Sequence, residues 1–414
     1  MATKPTPLNS QQIRLLAVLA LINFVNFAAR WVVVPLVPVL RDHFHVTDAQ
    51  LGDLQTWLLV VLALASIPFG FLADRYSRKA IIAIGIVCWS VASFAGGLFS
   101  IFSYFLIARA LVGLGEAAYA PAAQSMISGA FPQERRAFAQ AIFAAGMLLG
   151  GATGLALGGI VGPRYGWQST LFVVAILGIF PGLALIGLEE PPRGPLSEVV
   201  PIRRLLSVPA FVSLIAAGVC ITFSSVSLIS WGVDFAVNYK DFSLREASVF
   251  LALITLFALV LGVLAGGYVA DRLQRSFTYG RIIAIAVALL IAAPFLLLAI
   301  QSDEKSTVLL GFFIASFFMS WYHGPVTAVL HDMMPRRAHA TSVGVYMFAT
   351  QLLGGLGPHV VGKISDQHDL QVGLQIAVGV MVCGALLMFL VMYFIRRDGI
   401  RHPILEAFRA EPGD

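Results

Sequence analysis

Four ionisable side chains lie deep inside long apolar runs of the sequence, where a charge is costly and tends to serve a function. Arg109 and Glu116 lie seven residues apart in one run, a spacing of two helical turns that places them on one face. Arg30 and His323 lie in two other runs. A carboxyl group at such depth can switch its protonation state, because burial favours the neutral form and a nearby arginine favours the charged form. We therefore predict that Glu116 carries a proton and that Arg30 and Arg109 bind an anion.

Three polar side chains extend this predicted binding site. Asn26 lies one turn before Arg30, Tyr119 lies one turn after Glu116, and His323 precedes a Gly-Pro pair where a helix break would line a cavity. Each has a simpler alternative. Asn26 and His323 are equally explained as hydrogen bonds between helices, Tyr119 as packing, and Glu116 as half of a fixed ion pair between two helices.

Twelve apolar stretches between Ile13 and Arg397 must position these residues. Crossing ~30 Å of hydrocarbon takes about 20 helical residues, and each stretch is that long. Charged residues make up 12% of the chain and hydrophobic residues 58%, whereas soluble domains have roughly 25% charged residues. We predict an all-α membrane protein with transmembrane helices 1 to 12. Their predicted bounds are about 13–37, 53–73, 80–99, 102–129, 138–162, 169–188, 209–237, 247–270, 281–300, 306–331, 340–362 and 371–395.

The longest polar connector follows helix 6 and predicts two six-helix bundles. The predicted division is 1–188 for the first bundle, 189–208 for a cytoplasmic linker, and 209–414 for the second bundle with a short tail. With the N-terminus inside the cell, 19 of the 27 lysines and arginines fall in cytoplasmic segments and 6 in outer ones. This bias predicts a cell-membrane protein with both termini in the cytoplasm. It also explains the basic pI of about 9.2 without nucleic acid.

A short polar motif occurs twice, after helix 2 and after helix 8. Each copy combines a glycine, an Asp-Arg pair and a further arginine, and we predict a latch at the cytoplasmic face. The glycine would allow close helix packing, the aspartate would face a helix N-terminus, and the arginines would bind acids or carbonyl groups. The alternative is a basic turn set only by topology. The residues are Gly70, Asp74, Arg75 and Arg78 in the first copy and Gly267, Asp271 and Arg272 in the second.

This repeated motif resembles the signature loop of the major facilitator superfamily. The run from Arg109 through Gly113, Gly115 and Glu116 to Tyr119 resembles the narrower Spinster family, as do Gly324-Pro325, Pro335-Arg336-Arg337-Ala338 and Gly354-Gly355-Leu356-Gly357-Pro358. The resemblance implies the major facilitator fold, two pseudo-symmetric six-helix bundles that work by alternating access. It also implies substrates of the lysophospholipid or sphingoid phosphate type.

Two positions depart from the pattern of the family. Spinster proteins usually carry Asn-x-x-Asp-Arg in helix 1, whereas this chain has Ala29 directly before Arg30. The acid that couples protons in relatives is therefore absent, and Glu116 would have to do more of that work. In helix 5 the proline of a common exporter motif is missing, although Gly154, Gly158 and Gly159 are available for close packing.

These observations predict a proton-coupled secondary transporter of an amphipathic anion such as a lysophospholipid. A proton-coupled transporter of small organic anions is the alternative. A different class of alternative is a non-transporting membrane sensor or a lipid scramblase. The sequence has no Gly-rich phosphate loop, no His/Cys/acid cluster and no nucleophile–base pair, so we expect no enzyme activity, cofactor or metal. The expected partners are the substrate, protons and membrane lipids, and we expect a monomer.

Overall fold

The structure is a computed structural model that describes residues 9–192 and 201–398. Within these ranges the chain is helical apart from short connections, with no β-strand. Helices 2 to 9 are Asp48–Arg75, Arg78–Leu98, Phe102–Ala130, Gln133–Tyr165, Trp167–Ile186, Pro209–Tyr239, Leu244–Ser276 and Gly280–Gln301, and helix 12 is Leu370–Asp398. Helix 1 runs over Ser10–Trp31 and continues through a 3-10 turn at Val34–Leu36 into Val37–Phe44. A short helix, Ile202–Leu206, precedes helix 7.

In the described part of the chain, eleven segments are long and apolar enough to cross a membrane. Helix 11 completes the predicted set of twelve. It is not among the eleven because, unlike helix 10, its helical run stops at Gly354 and resumes only at Gly357. The prediction of an all-α membrane protein with twelve transmembrane helices is confirmed.

Helices 10 and 11 are interrupted, whereas the sequence analysis considered a break only in helix 10, at Gly324-Pro325. Helix 10 consists of Lys305–Met319 and His323–Met333, joined by a 3-10 turn at Ser320–Tyr322. Pro325 explains the position of this turn, because a proline ring displaces the carbonyl group four residues earlier, here that of Trp321.

The same rule places the break in helix 11. This helix consists of His339–Ala349, a π-helical turn at Thr350–Gly354, and Gly357–Gln367. Pro358 lies four residues after Gly354, so the π-helical turn ends where the proline ring displaces a carbonyl group.

The helix contacts divide the chain into two compact units. Unit 1 comprises Met1–Val46, Asp53–Leu196 and Ser243–Ala252, and unit 2 comprises Thr47–Gly52, Ser197–Phe242 and Leu253–Asp414. The start of helix 2 is thus assigned to unit 2, and the start of helix 8 is assigned to unit 1. The sequence analysis predicted one division, at the linker, and did not assign the starts of helices 2 and 8 to the opposite units. That predicted division stays a prediction.

In unit 1, helices 1 and 5 pack with their backbones in contact. Four glycines of helix 5, spaced four residues apart, each face a carbonyl oxygen of helix 1. A Cβ atom at any of them would lie closer than 3.0 Å to that oxygen. The close packing predicted for Gly154 and Gly158 is therefore present, and it extends over two further turns. The pairs are Gly146 with Ala20, Gly150 with Phe24, Gly154 with Ala28, and Gly158 with Val32.

In unit 2, helix 7 packs closely against helix 11 on both sides of its break. Gly218 of helix 7 lies against the ring of Tyr346 in the first piece of helix 11. Gly354, at the end of the π-helical turn, lies against Thr222. Beyond the break, the indole Nε1 of Trp231 donates a hydrogen bond of 3.0 Å to the carbonyl oxygen of Pro358. Helix 7 therefore supports helix 11 where the helical hydrogen bonding of helix 11 is interrupted.

Candidate functional site

Helices 1 and 4 of unit 1 run antiparallel and are joined by side chains of helix 4. Tyr119 donates its hydroxyl to the carbonyl oxygen of Leu19 at 2.8 Å. Three turns away, Arg109 donates from Nη1 to the carbonyl oxygen of Ala29 at 3.2 Å and from Nη2 to that of Arg30 at 2.9 Å. These two points fix the register of the pair, because ten residues of helix 4 match about ten of helix 1.

Between these points, Arg30 and Glu116 form a buried ion pair. Arg30 Nε donates to Glu116 Oε2 at 2.8 Å, and Arg30 Nη2 donates to the same oxygen. Arg30 is 9% exposed and Glu116 is 2% exposed. The guanidinium of Arg30 also lies over the ring of Phe27, 4.6 Å from its centroid, a favourable cation–π arrangement. The sequence placed Arg109 and Glu116 on one face of helix 4, and the structure gives Glu116 a partner from helix 1.

The buried cluster has more positive than negative charge. Arg30 and Arg109 bring two positive charges and Glu116 brings one negative charge, and all three are buried. An uncompensated buried charge is costly, so it favours the arrival of an anion. This surplus is what the sequence interpretation required of an anion-binding site.

Two of the predicted substrate-binding side chains have structural tasks in this arrangement. The donors of Arg109 on Nη1 and Nη2 and the hydroxyl of Tyr119 are bonded to the backbone of helix 1. Both side chains therefore position helix 1, and contact with the substrate stays a prediction for them. Asn26 is 2% exposed and adjoins the ion pair by sequence position.

His323 belongs to unit 2 and is not part of this cluster. It begins the second piece of helix 10, directly after the 3-10 turn, and its side chain is exposed. Its ring lies 4.2 Å from that of Tyr322, measured between centroids. The expected helix break is present one turn earlier than the Gly-Pro pair, and a role of His323 toward substrate stays a prediction.

The first predicted latch motif holds the beginning of the linker against unit 1. Arg78 donates from Nε to Glu190 Oε1 at 3.0 Å and from its backbone N–H to the same oxygen at 3.1 Å. Ser77 donates its hydroxyl to Glu190 Oε2 at 2.8 Å, and Arg78 Nη2 donates to the carbonyl oxygen of Pro191. The sequence predicted an acid or carbonyl partner for Arg78, but nothing in its local pattern identified Glu190.

The balance of these contacts lowers the pKa of Glu190. Partial burial of the carboxyl group raises the pKa. The hydrogen bonds from Ser77 and from the backbone and side chain of Arg78, with the positive charge of Arg78, outweigh that effect and lower it.

The second motif is organised by an arginine that sequence analysis missed. Arg281, at the start of helix 9, donates to Asp271 Oδ1 at 2.8 Å and to Asp332 Oδ2 at 2.5 Å. It thereby joins the ends of helices 8 and 10. Arg272 donates to the hydroxyl of Tyr268 at 3.2 Å. No local pattern marks Arg281, because its two acids come from distant parts of the chain.

The packing predicted for the two motif glycines is wrong. A Cβ atom at Gly70 or Gly267 would meet nothing within 4 Å. Both glycines lie in the last two turns or so of helices 2 and 8, near their C-terminal ends. Asp74 and Arg75 are exposed at the end of helix 2, and their gating role stays a prediction.

Comparison with known proteins identifies the family. A family model described as the Major Facilitator Superfamily matches residues 19–358. Protein spinster homolog 1 of Xenopus laevis is 27% identical, over 92% of this chain and 80% of the relative. The sphingosine-1-phosphate transporter SPNS2 of Danio rerio is also 27% identical, over 90% and 81%.

A solved structure shows the same fold. It is that of a bacterial homolog to the human lysosomal transporter Spinster, which superposes with a TM-score of 0.84 at 24% sequence identity. The alignment covers 95% of this chain and 99% of that one. The chain therefore belongs to the Major Facilitator Superfamily, a family of transporters rather than enzymes, and is a multi-pass membrane protein that resembles the Spinster proteins.

Proposed function

We propose that this protein is a proton-coupled secondary transporter that moves an amphipathic anion of the lysophospholipid type by alternating access. The observation that carries the proposal is the buried pair of Arg30 and Glu116 with the additional charge of Arg109 beside it. A pair that served only to join two helices would need one charge of each sign. Here a second arginine leaves a positive charge for an anion to neutralise.

The proposed coupling follows from competition for one guanidinium. While Glu116 is ionised, its Oε2 accepts both donated hydrogen bonds from Arg30. Protonation of Glu116 removes the negative charge from the pair, so Arg30 can turn its donors to a phosphate or carboxylate of the substrate. The net charge of Arg30, Arg109 and Glu116 then rises from one to two. Proton and anion therefore favour each other's binding at this site.

The lysolipid class is supported by the relatives rather than by the charge cluster. The Danio rerio relative is named for transport of sphingosine-1-phosphate, a molecule with a phosphate head group and one hydrocarbon chain. We infer a substrate of similar form for this chain. A small organic anion could bind to the same arginines, but its binding site would not need an apolar surface for a hydrocarbon chain.

The proposed setting is the cell membrane, with both termini in the cytoplasm and a monomer as the working unit. The excess of lysine and arginine in the predicted cytoplasmic segments, 19 against 6, supports this orientation. Membrane lipids and protons are the proposed partners, and no cofactor is required by the mechanism.

Uptake into proteoliposomes tests the substrate and the coupling together. The purified protein is reconstituted, and entry of a labelled lysophospholipid is followed with and without an imposed pH gradient. We expect accumulation that depends on the gradient and is weakened by excess unlabelled lysolipid. Equal flux without a gradient would indicate a scramblase. Gradient-driven uptake of small organic anions without lysolipid uptake would show that the substrate is a small organic anion. No uptake of either compound would contradict the proposal that the protein is a transporter.

A further inference from the structure

Several buried polar atoms of unit 1 have no hydrogen-bond partner among the described residues, and three of them belong to the charged cluster and to Asn26, which lies one turn before Arg30. These three are Nδ2 of Asn26, Nε of Arg109 and Oε1 of Glu116. Asn26, Arg109 and Glu116 are only 2%, 3% and 2% exposed. A buried polar atom without a partner costs about 1–3 kcal/mol, so three in one cluster require an explanation.

The register of helices 1 and 4 shows the level at which Asn26 lies relative to the charged side chains of helix 4. Leu19 is bonded to Tyr119 and Arg30 to Arg109, so the level of Asn26 on helix 1 lies between Arg109 and Glu116 on helix 4. Helical side chains incline toward the N-terminus of their own helix. Arg30 therefore reaches back toward Asn26, and Glu116 reaches back toward the same level from the antiparallel helix. The ion pair that they form confirms this meeting point.

The three atoms match the hydrogen-bonding capacity of one water molecule. Two of them, Asn26 Nδ2 and Arg109 Nε, are donors, and the third, Glu116 Oε1, is an acceptor. A water molecule accepts two hydrogen bonds and donates to a third partner, and buried waters in proteins typically make about three.

We propose that Asn26 and one ordered water form a positioning site for Glu116, in which the water accepts a hydrogen bond from Asn26 Nδ2 and donates one to Glu116 Oε1. The inference rests on the proposed function for its role in transport, whereas the water site itself does not depend on it. Asn26 is suited to the task because its amide offers both a donor and an acceptor. If the side-chain amide rotates by about 180°, its NH2 group can donate toward the ionised carboxylate, or its carbonyl oxygen can accept from the protonated carboxyl group.

Among the described residues, Arg30 and Arg109 are charged side chains that interact with Glu116. Arg30 donates to the other carboxylate oxygen, and the charge of Arg109 interacts with both Glu116 and Arg30. Helix 2 meets helix 4 through the backbone of Leu58 at Gly113.

Asn23 provides a matched control on the same helix. It lies one turn before Asn26 and is 3% exposed, but its Nδ2 donates to the carbonyl oxygen of Phe143 in helix 5 at 2.8 Å. The substitution Asn23→Leu therefore removes a buried amide of helix 1 whose donor group already has a partner in helix 5. Asn26→Leu removes the proposed link and keeps a side chain of similar volume.

A high-resolution experimental structure tests the water site directly. We expect density for one water within about 2.7–3.2 Å of Asn26 Nδ2 and Glu116 Oε1. It should be present in the native protein and in N23L and absent in N26L. A native structure without this water, or an N26L structure that retains it, would overturn the proposal. This result is independent of whether transport proves to be proton-coupled.

The pH profile of uptake tests the role of the link. In N26L we expect the pH of half-maximal gradient-driven uptake to rise by roughly half a unit to one unit, because one hydrogen bond to the carboxylate is lost. N26S, whose hydroxyl can still donate to the water, should restore part of the native profile. A profile that N23L shifts as far as N26L would refute the positioning role. Loss of gradient dependence in the native protein would instead contradict the proposed function.

Discussion

The two units hold corresponding helix pairs in different ways. In unit 1, helices 1 and 5 touch along four evenly spaced glycines, and helix 5 is unbroken over Gln133–Tyr165. In unit 2, helix 7 meets helix 11 on both sides of a π-helical turn at Thr350–Gly354. The continuous contact leaves helices 1 and 5 little room to move against each other. Helix 11, in contrast, loses regular α-helical hydrogen bonds at its π-helical turn. This difference suggests that unit 1 holds fixed geometry and unit 2 accommodates change.

The charged cluster of the candidate site lies in unit 1, beside the glycine contact. The ion pair of Arg30 and Glu116, with Arg109 beside it, lies between helices 1 and 4 of unit 1. Gly154 of helix 5 packs against the backbone of helix 1 at Ala28, two residues before Arg30. A charged pair keeps its geometry only when its backbone is held, because a small displacement exposes costly unpaired charge. The glycine contact therefore supports the chemistry of the site.

The largest predicted effect comes from a methyl group at the centre of the rigid contact. A Cβ atom at position 150 would press into the carbonyl oxygen of Phe24, which is backbone and cannot turn away. We expect Gly150→Ala to destabilise the protein by about 3 kcal/mol, the upper end of typical overpacking penalties. Thermal unfolding in detergent, followed by the apparent Tm, measures this loss.

Gly379 supplies the control for that substitution. It lies in helix 12, and a Cβ atom there would meet nothing within 4 Å. Gly379→Ala should leave the Tm unchanged or raise it slightly, because alanine favours helix over glycine by up to about 1 kcal/mol. Equal Tm values for G150A and G379A would show that the contact of helices 1 and 5 is not rigid.

A smaller effect is expected where helix 7 supports the broken helix 11. Trp231→Phe keeps most of the ring volume and removes the hydrogen bond to the carbonyl oxygen of Pro358. We expect a loss of about 1 kcal/mol and faster amide hydrogen exchange confined to 350–360. Unchanged exchange in that segment, or exchange that rises equally in helix 5, would contradict the assignment of flexibility to helix 11.

The smallest effect concerns the linker contact of unit 1. Because the folded protein lowers the pKa of Glu190, this carboxylate stabilises the fold above about pH 4.3, the pKa of an unperturbed glutamate. The contribution is lost as the pH falls through the lowered value. We expect Glu190→Gln to cost at most about 1 kcal/mol at pH 7, with the difference from native protein shrinking toward pH 3. A difference that is constant with pH would exclude the charged contact with Arg78.

Much of the fold was predictable because the membrane imposes a simple rule on helix length and composition. Eleven segments of the part of the chain that the structure describes are long and apolar enough to follow this rule. The breaks in helices 10 and 11 were not predictable from proline alone, since Pro121 and Pro181 lie inside helices that continue. Whether a proline interrupts a helix depends on neighbours that satisfy the freed carbonyl groups, and those neighbours are set by tertiary packing.

The residues of the site were predictable by type, but their pairing was not. Charge in an apolar run identified Arg30, Arg109 and Glu116. The partner of Glu116 depends on the register of helices 1 and 4, and helices that are apolar all round carry no pattern that fixes register or facing. For the same reason the sequence suggested a substrate contact for Tyr119, whose hydroxyl the structure bonds to the backbone of Leu19.

The most direct test of the central claim compares two transport modes in Glu116→Gln. Glutamine imitates the protonated acid and cannot release a proton. We predict that E116Q still exchanges labelled lysolipid for unlabelled lysolipid at equal pH but no longer accumulates it under a pH gradient. Glu304→Gln, at an exposed connector residue, should retain both modes. Gradient-driven accumulation by E116Q at the native rate would contradict the claim that Glu116 carries the proton.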